Sequence, residues 1–201
     1  MKYGMVINKS HCVGCHSCTI ACLQRNGNSP GNYFSKVHIT EKGTFPNVEL
    51  DYSPVLCNQC SLPRCVEACD TGASQQLDNG IMIIDRDLCN GCQMCIMACP
   101  YSARVYIDDP IERFPGQGFA AFEEATYPQQ PVGTSGKCDF CLALLEAGNE
   151  PACVHTCVGK ARVFGDQEDP NSEISKILAS ENTFVLDEQA GTEPNVYYYT
   201  R

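Results

Sequence analysis

The run Cys89-Asn90-Gly91-Cys92-Gln93-Met94-Cys95-Ile96-Met97-Ala98-Cys99-Pro100 constrains this chain more than any other feature. It places four thiols within eleven residues, spaced by two, two and three residues, and stops on proline. Two residues between sulfurs let a short loop curl around a compact group and reach three of its corners. Gly91 supplies the left-handed backbone such a curl needs. The longer last step starts a helical turn that swings Cys99 away from its neighbours, and Pro100 ends that turn.

This is the spacing of the bacterial ferredoxin run for a [4Fe–4S] cluster, whose fourth cysteine serves the other cluster in two-cluster proteins. One run therefore implies a partner run. The 201 residues contain 16 cysteines, and they fall into four quartets: 12/15/18/22, 57/60/65/69, 89/92/95/99 and 138/141/153/157. The first aligns with the third as C-x-G-C-x-x-C-x-x-A-C, an internal repeat. The second and fourth both end P-x-C-V-x-x-C, at Pro63–Cys69 and Pro151–Cys157. Disulfide scaffolds do not repeat C-x2-C in every group, and zinc normally takes two separated pairs per ion. Packed quartets suit cubanes better.

The formal net charge is -10, with 14 Lys+Arg, and each oxidised cluster would add roughly −2. That potential argues against nucleic acid as a partner. No stretch approaches the 18 apolar residues of a membrane span. Residues 1–8 are too short an apolar run for a signal peptide and lack a twin arginine. The expectation is a chain soluble by itself, cytoplasmic or carried outward by a signal-bearing partner.

Residues 3–7 read as a strand, 33–52 as a hairpin, and 75–84 as a second hairpin with a type I′ turn at Asn79-Gly80. Arg104–Ile107 reads as a strand. Residues 108–136 are rich in Pro and Gly with little periodicity, which marks a functional or partner-ordered loop. Glu173–Ser180 reads as an amphipathic helix capped by Asn171 or Ser172. Only 19 residues separate Cys69 from Cys89, against 34 between Cys22 and Cys57 and 38 between Cys99 and Cys138. The second quartet is therefore paired with the third, and the first with the fourth. The expected fold is α+β: two interlocked ferredoxin-like units, each holding two [4Fe–4S] clusters. Residues 1–52 with 130–165 form the outer unit and 53–107 the nested one. Residues 108–129 form a partner-facing loop and 166–201 a partner-binding tail.

The quartets, the 33–52 hairpin, Gly43-Thr44-Phe45-Pro46, Pro100-Tyr101 and the tail from Gly165-Asp166 to Gly191-Thr192-Glu193-Pro194-Asn195-Val196-Tyr197-Tyr198 resemble the iron–sulfur subunits of the dimethyl sulfoxide reductase family of molybdopterin oxidoreductases. The resemblance covers nearly the whole chain. Relatives of this type serve polysulfide, tetrathionate and arsenate reductases and catechol dehydroxylases. It implies a non-catalytic electron-transfer subunit with a large molybdopterin catalytic subunit as partner. A membrane quinone-reactive subunit or a soluble electron carrier would complete the path.

The resemblance also implies four [4Fe–4S] clusters. One would sit on Cys12, Cys15, Cys18 and Cys157, nearest the molybdenum subunit. The next would use Cys22, Cys138, Cys141 and Cys153, and the third Cys57, Cys60, Cys65 and Cys99. Cys69, Cys89, Cys92 and Cys95 would hold the distal one. Relatives often have proline after each quartet, where this chain has Leu23, Asp70 and Val158; a carboxylate at Asp70 should lower a nearby potential.

Beside complete quartets, His11, His16 and His155 read as supporting groups. Arg64, Arg104 and Lys160 read as charge compensation on an acidic surface, and Tyr197–Tyr199 as packing against a partner. The alternatives are a four-cluster carrier of a hydrogenase or formate-oxidising complex and, from another class, a structural zinc-binding interaction module.

Overall fold

The computed structural model describes residues 1–200; Arg201, the last residue of the expected tail, lies outside the described residues. The strands are β1 (Tyr3–Asn8), β2 (Ser35–Thr44), β3 (Asn47–Leu56), β4 (Ser74–Gln76), β5 (Met82–Ile84), β6 (Arg104–Tyr106), β7 (Ser135–Lys137), β8 (Arg162–Asp166) and β9 (Val196–Tyr199). The helices are α1 (Ser17–Asn26), α2 (Arg64–Glu67), α3 (Met94–Met97), α4 (Ala121–Thr126), α5 (Leu142–Glu146), α6 (Ala152–His155) and α7 (Glu173–Ser180).

Strand β1 is apolar on both faces, and its central residues Met5, Val6 and Ile7 are fully buried. It lies in the middle of a three-stranded sheet, antiparallel to β8 and parallel to β9. The expected hairpin at 33–52 is present and longer, with β2 and β3 in register from Ser35–Leu56 to Thr44–Asn47. Alternation in its sequence marks only the middle of the arm.

The β4–β5 connection departs from the expected type I′ turn. Leu77 N–H donates to the Ile81 carbonyl (2.9 Å) and Gly80 N–H to the Leu77 carbonyl (2.9 Å), so three residues, not two, form the loop. Gly80 alone of the three has positive φ, the pattern of a tight turn followed by a glycine bulge. The Asn79 side chain accepts the Ile81 N–H (3.1 Å) and holds that form.

Strand β6 finds its partner in β7, across the long Pro/Gly segment. That segment is not structureless. Glu123, 2% exposed, accepts the N–H of Ala120 (2.8 Å), the N–H of Arg113 (2.9 Å) and the hydroxyl of Tyr127 (2.7 Å). One buried carboxylate thus gathers the loop around α4, through contacts that periodicity cannot reveal.

The tail is committed within the chain. Ser172 caps α7 by accepting the Ser175 N–H (3.2 Å). Ile174, Ile177 and Leu178 pack with Val6, Val163, Tyr197 and Tyr199. Tyr198 is 1% exposed and donates to the Pro54 carbonyl (3.0 Å). The tyrosines expected to pack on a partner therefore pack here, because β1 needs a second neighbour.

Helices α2, α3 and α6 are single turns of four residues, too short to persist alone. Packing holds them in pairs: α1 lies against α6, and α2 against α3. The main core mixes Met5, Ile7, Phe34, Ile81, Phe140 and Tyr198 with Cys18, Cys22, Cys57, Cys138 and Cys153. Sulfur occupies the place where a domain of this size would otherwise put leucine.

Candidate metal centres

All sixteen cysteines are free thiols. In the first C-x-x-C loop of every quartet the residue before the second cysteine has positive φ: Gly14 (67°), Gln59 (47°), Gly91 (71°) and Phe140 (53°). Glycine does this without strain. A side chain there costs on the order of 1–2 kcal/mol, and burial offsets it. Gln59 is fully buried, donating to the Cys138 carbonyl (2.8 Å) and accepting the Met82 N–H (2.6 Å). Phe140 packs edge-on against Phe164, ring centroids 5.1 Å apart.

The third cysteine of each quartet, Cys18, Cys65, Cys95 or Cys153, enters a helix, and the fourth leaves for another group. Cys12, Cys15, Cys18 and Cys157 line one cavity. Cys57, Cys60, Cys65 and Cys99 line a second. Cys69, Cys89, Cys92 and Cys95 line a third. Cys22, Cys138, Cys141 and Cys153 are all buried, and Cys22, Cys141 and Cys153 are close electrostatic neighbours of Cys138. Among the described residues no three His, Cys, Asp or Glu side chains converge as the ligands of a single ion do. The sulfurs stand around spaces instead, which suits a polynuclear group rather than one zinc ion.

The linings have the chemistry of such a group. Backbone N–H groups of Ser74, Ser135, Phe140 and Ala161 donate to the sulfurs of Cys69 (3.3 Å), Cys89 (3.4 Å), Cys138 (3.4 Å) and Cys157 (3.2 Å). In the Cys57/Cys60/Cys65/Cys99 cavity, the Asn58 side chain and Arg104 Nε are buried with no hydrogen-bond partner in the protein. These donors match sulfide acceptors. Burial, and then the charge of neighbouring thiolates, raises Cys22 and Cys138 far above an ordinary thiol. Burial also lifts Cys60 and Cys141 to about 11. Thiols in such surroundings ionise when a cationic metal group takes the proton's place. Cys15 and Cys92 are exposed, so the first and third cavities reach the surface, whereas the Cys22 group is enclosed.

Three cations are buried among the described residues: Arg104 and Arg162, each 4% exposed, and Lys137, 5% exposed. Arg104 Nη2 donates to Cys65 Sγ (3.0 Å) and Nη1 to Ser74 Oγ (2.8 Å). This corrects its reading as a surface charge; Arg64 and Lys160 are exposed as expected. Arg162 donates to Cys18 Sγ (3.5 Å) and Ser35 Oγ (3.3 Å) from Nη2, and to Cys153 Sγ (3.7 Å) and Met5 Sδ (3.7 Å) from Nη1. Sequence reasoning missed Arg162 and Lys137. A signal existed for the first: Ala103-Arg104-Val105 and Ala161-Arg162-Val163 stand at the same distance after Cys99 and Cys157.

Comparison with known proteins agrees with this geometry. The 4Fe-4S dicluster domain family matches residues 48–112 and 124–167, which makes the fold ferredoxin-like with mixed helices and strands. The chain is 40% identical to a subunit of the selenate reductase of Mesobacillus selenatarsenatis, over 100% of this chain and 72% of that protein. It is 36% identical to the arsenate respiratory reductase iron–sulfur subunit of a Shewanella species, over 98% of this chain and 96% of that one. It is also 36% identical to a subunit of the tetrathionate reductase of Salmonella typhimurium, over 98% and 72%. The chain carries [4Fe–4S] clusters and belongs to the iron–sulfur electron-transfer subunits of the dimethyl sulfoxide reductase family.

Proposed function

We propose that this chain carries electrons through four [4Fe–4S] clusters between a large molybdopterin catalytic subunit and a second redox partner, a membrane quinone-reactive subunit or a soluble carrier. The ligand sets are Cys12/Cys15/Cys18/Cys157, Cys22/Cys138/Cys141/Cys153, Cys57/Cys60/Cys65/Cys99 and Cys69/Cys89/Cys92/Cys95. The observation that carries the reading is the regrouping of sulfurs: three cysteines from one quartet meet the fourth of another. The pairing of α1 with α6 and of α2 with α3 supports a nested ferredoxin-like unit, residues 53–107, inside an outer one, residues 1–52 with 130–165.

Bound clusters change oxidation state one electron at a time. The protein sets their spacing, excludes water from the enclosed Cys22/Cys138/Cys141/Cys153 group and leaves Cys15 and Cys92 near solvent at the two ends. Partner docking is assigned to the 108–129 segment, where Ile111, Phe114, Phe119 and Phe122 are 57%, 59%, 42% and 43% exposed. Large apolar side chains left exposed together in one segment favour an interaction surface. No helix among the described residues is long and apolar enough to cross a membrane.

The test is iron content and association together. Anaerobically purified chain should hold about sixteen iron atoms, four clusters' worth, and should copurify with a molybdenum-containing subunit. Iron near a quarter of that amount, or zinc in its place, overturns the four-cluster reading.

A further inference from the structure

The chain has 14 Lys+Arg against 24 Asp+Glu, yet it spends three cations on its interior. Burying an unpaired charge is costly, so their positions need a reason. Arg162 spans Cys18 of the first cavity and Cys153 of the enclosed group. Arg104 donates to Cys65 of the Cys57/Cys60/Cys65/Cys99 cavity and to Ser74, whose own N–H donates to Cys69 of the last cavity (3.3 Å). Lys137 donates to the Cys138 carbonyl (2.6 Å) and to the Met82 carbonyl. Cys138 belongs to the enclosed group, and Met82 lines the Cys57/Cys60/Cys65/Cys99 cavity. Each buried cation therefore stands in a different gap between successive cavities.

We infer that Arg162, Lys137 and Arg104 are positioning residues of the electron path, one fixed positive charge in each of its three gaps. The inference rests on the four ligand sets proposed above. Each reduction adds a negative charge to a centre already surrounded by thiolates, and a cation in the gap stabilises that charge on either side. In a low-dielectric interior this effect reaches both neighbours and is little screened. The two arginines present a planar fork of donors: Arg162 touches a sulfur of each neighbouring group, and Arg104 touches one sulfur directly and the next through Ser74. Arg104 lines the Cys57/Cys60/Cys65/Cys99 cavity, and its Nε, buried and unpartnered in the protein, has a donor to give to a sulfide there. Three cations in three gaps keep the interior potentials level within a chain whose net charge would otherwise drive all of them down.

The experiment is an EPR-monitored redox titration of the full chain in its complex, with iron counted for every variant. The unaltered chain comes first: fewer than four clusters there overturns the ligand sets themselves, separately from the role of the cations. With four present, Arg162→Gln should lower the potentials of the first and second clusters, Lys137→Met those of the second and third, and Arg104→Gln those of the third and fourth. Neighbouring lesions thus share one cluster, a pattern that a loss of packing does not produce. Arg162→Lys, Lys137→Arg and Arg104→Lys should recover most of the lost potential. Shifts that are absent, spread over all four clusters, or equal in the neutral and charge-conserving variants overturn the inference. If a neutral variant does not keep its iron, the charge-conserving one is titrated in its place. Iron kept, with the two adjoining potentials near those of the unaltered chain, then supports the assignment to the charge, and a large or general fall in potential overturns it.

Discussion

A methyl group added at Gly91 would fall 2.1 Å from the Gly133 carbonyl oxygen, on a backbone at φ 71°. Gly91→Ala therefore combines a left-handed alanine with a backbone clash, more than about 1 kcal/mol in total. It should lose about four of some sixteen iron atoms while the other three clusters persist; full iron content would show that the loop yields. Asp70 is exposed beside Cys69, so Asp70→Asn should raise one midpoint potential by only a few tens of millivolts, and a titration with no upward shift contradicts it. The sulfur positions were legible residue by residue, because C-x2-C spacing states its geometry locally. The left-handed positions at Gln59 and Phe140 were not. Neither side chain advertises positive φ, and each is held there by contacts far along the chain.

Among the elements, β1 and the helical turn before Cys99 announced themselves, but α2, α6, β7 and the placement of β9 did not. Ser135-Gly136-Lys137 has no strand signature and is extended because Arg104–Tyr106 needs a partner. Likewise, the apolar face of α7 is readable, but not which surface covers it. The structure turns it onto β1 and β8, and this changes what truncation should do. Removing residues after Gly165 strips β9 and α7 from Val6 and leaves β1 with one neighbour. The expected outcome is a chain that loses iron and cooperative melting, rather than one that keeps its clusters and fails only to associate. A truncated chain with full iron would show the tail to be dispensable for folding. A gentler probe is Ile174→Ala, at a side chain that is 0% exposed. It should cost about 2–5 kcal/mol, read as a lower Tm with iron content unchanged.

At the scale of the whole molecule, the core is too rich in cysteine and its helices too short to stand without metal. Binding energy at such sites is folding energy. Anaerobic chelation should therefore unfold the chain and release its iron in step, followed by circular dichroism and iron release; retained helical signal after complete iron loss would contradict this. The ferredoxin-like class, with mixed helices and strands, could be reasoned from the cysteine spacing. The ordered 108–136 segment could not, because a single buried glutamate organises it.

The parallel pairing of β1 with β9 joins residues 5–8 to residues 196–199. On the ribosome, β1 emerges long before β9 and must wait for its second neighbour to be made. Residues 57–99 face no such delay and can close around their own sulfurs early. A polypeptide that stops before β9 leaves Met5, Val6 and Ile7 uncovered, an apolar flag for proteases and chaperones. The arrangement makes synthesis of β9 a condition for burying β1, so unfinished copies are marked before they can compete for a partner.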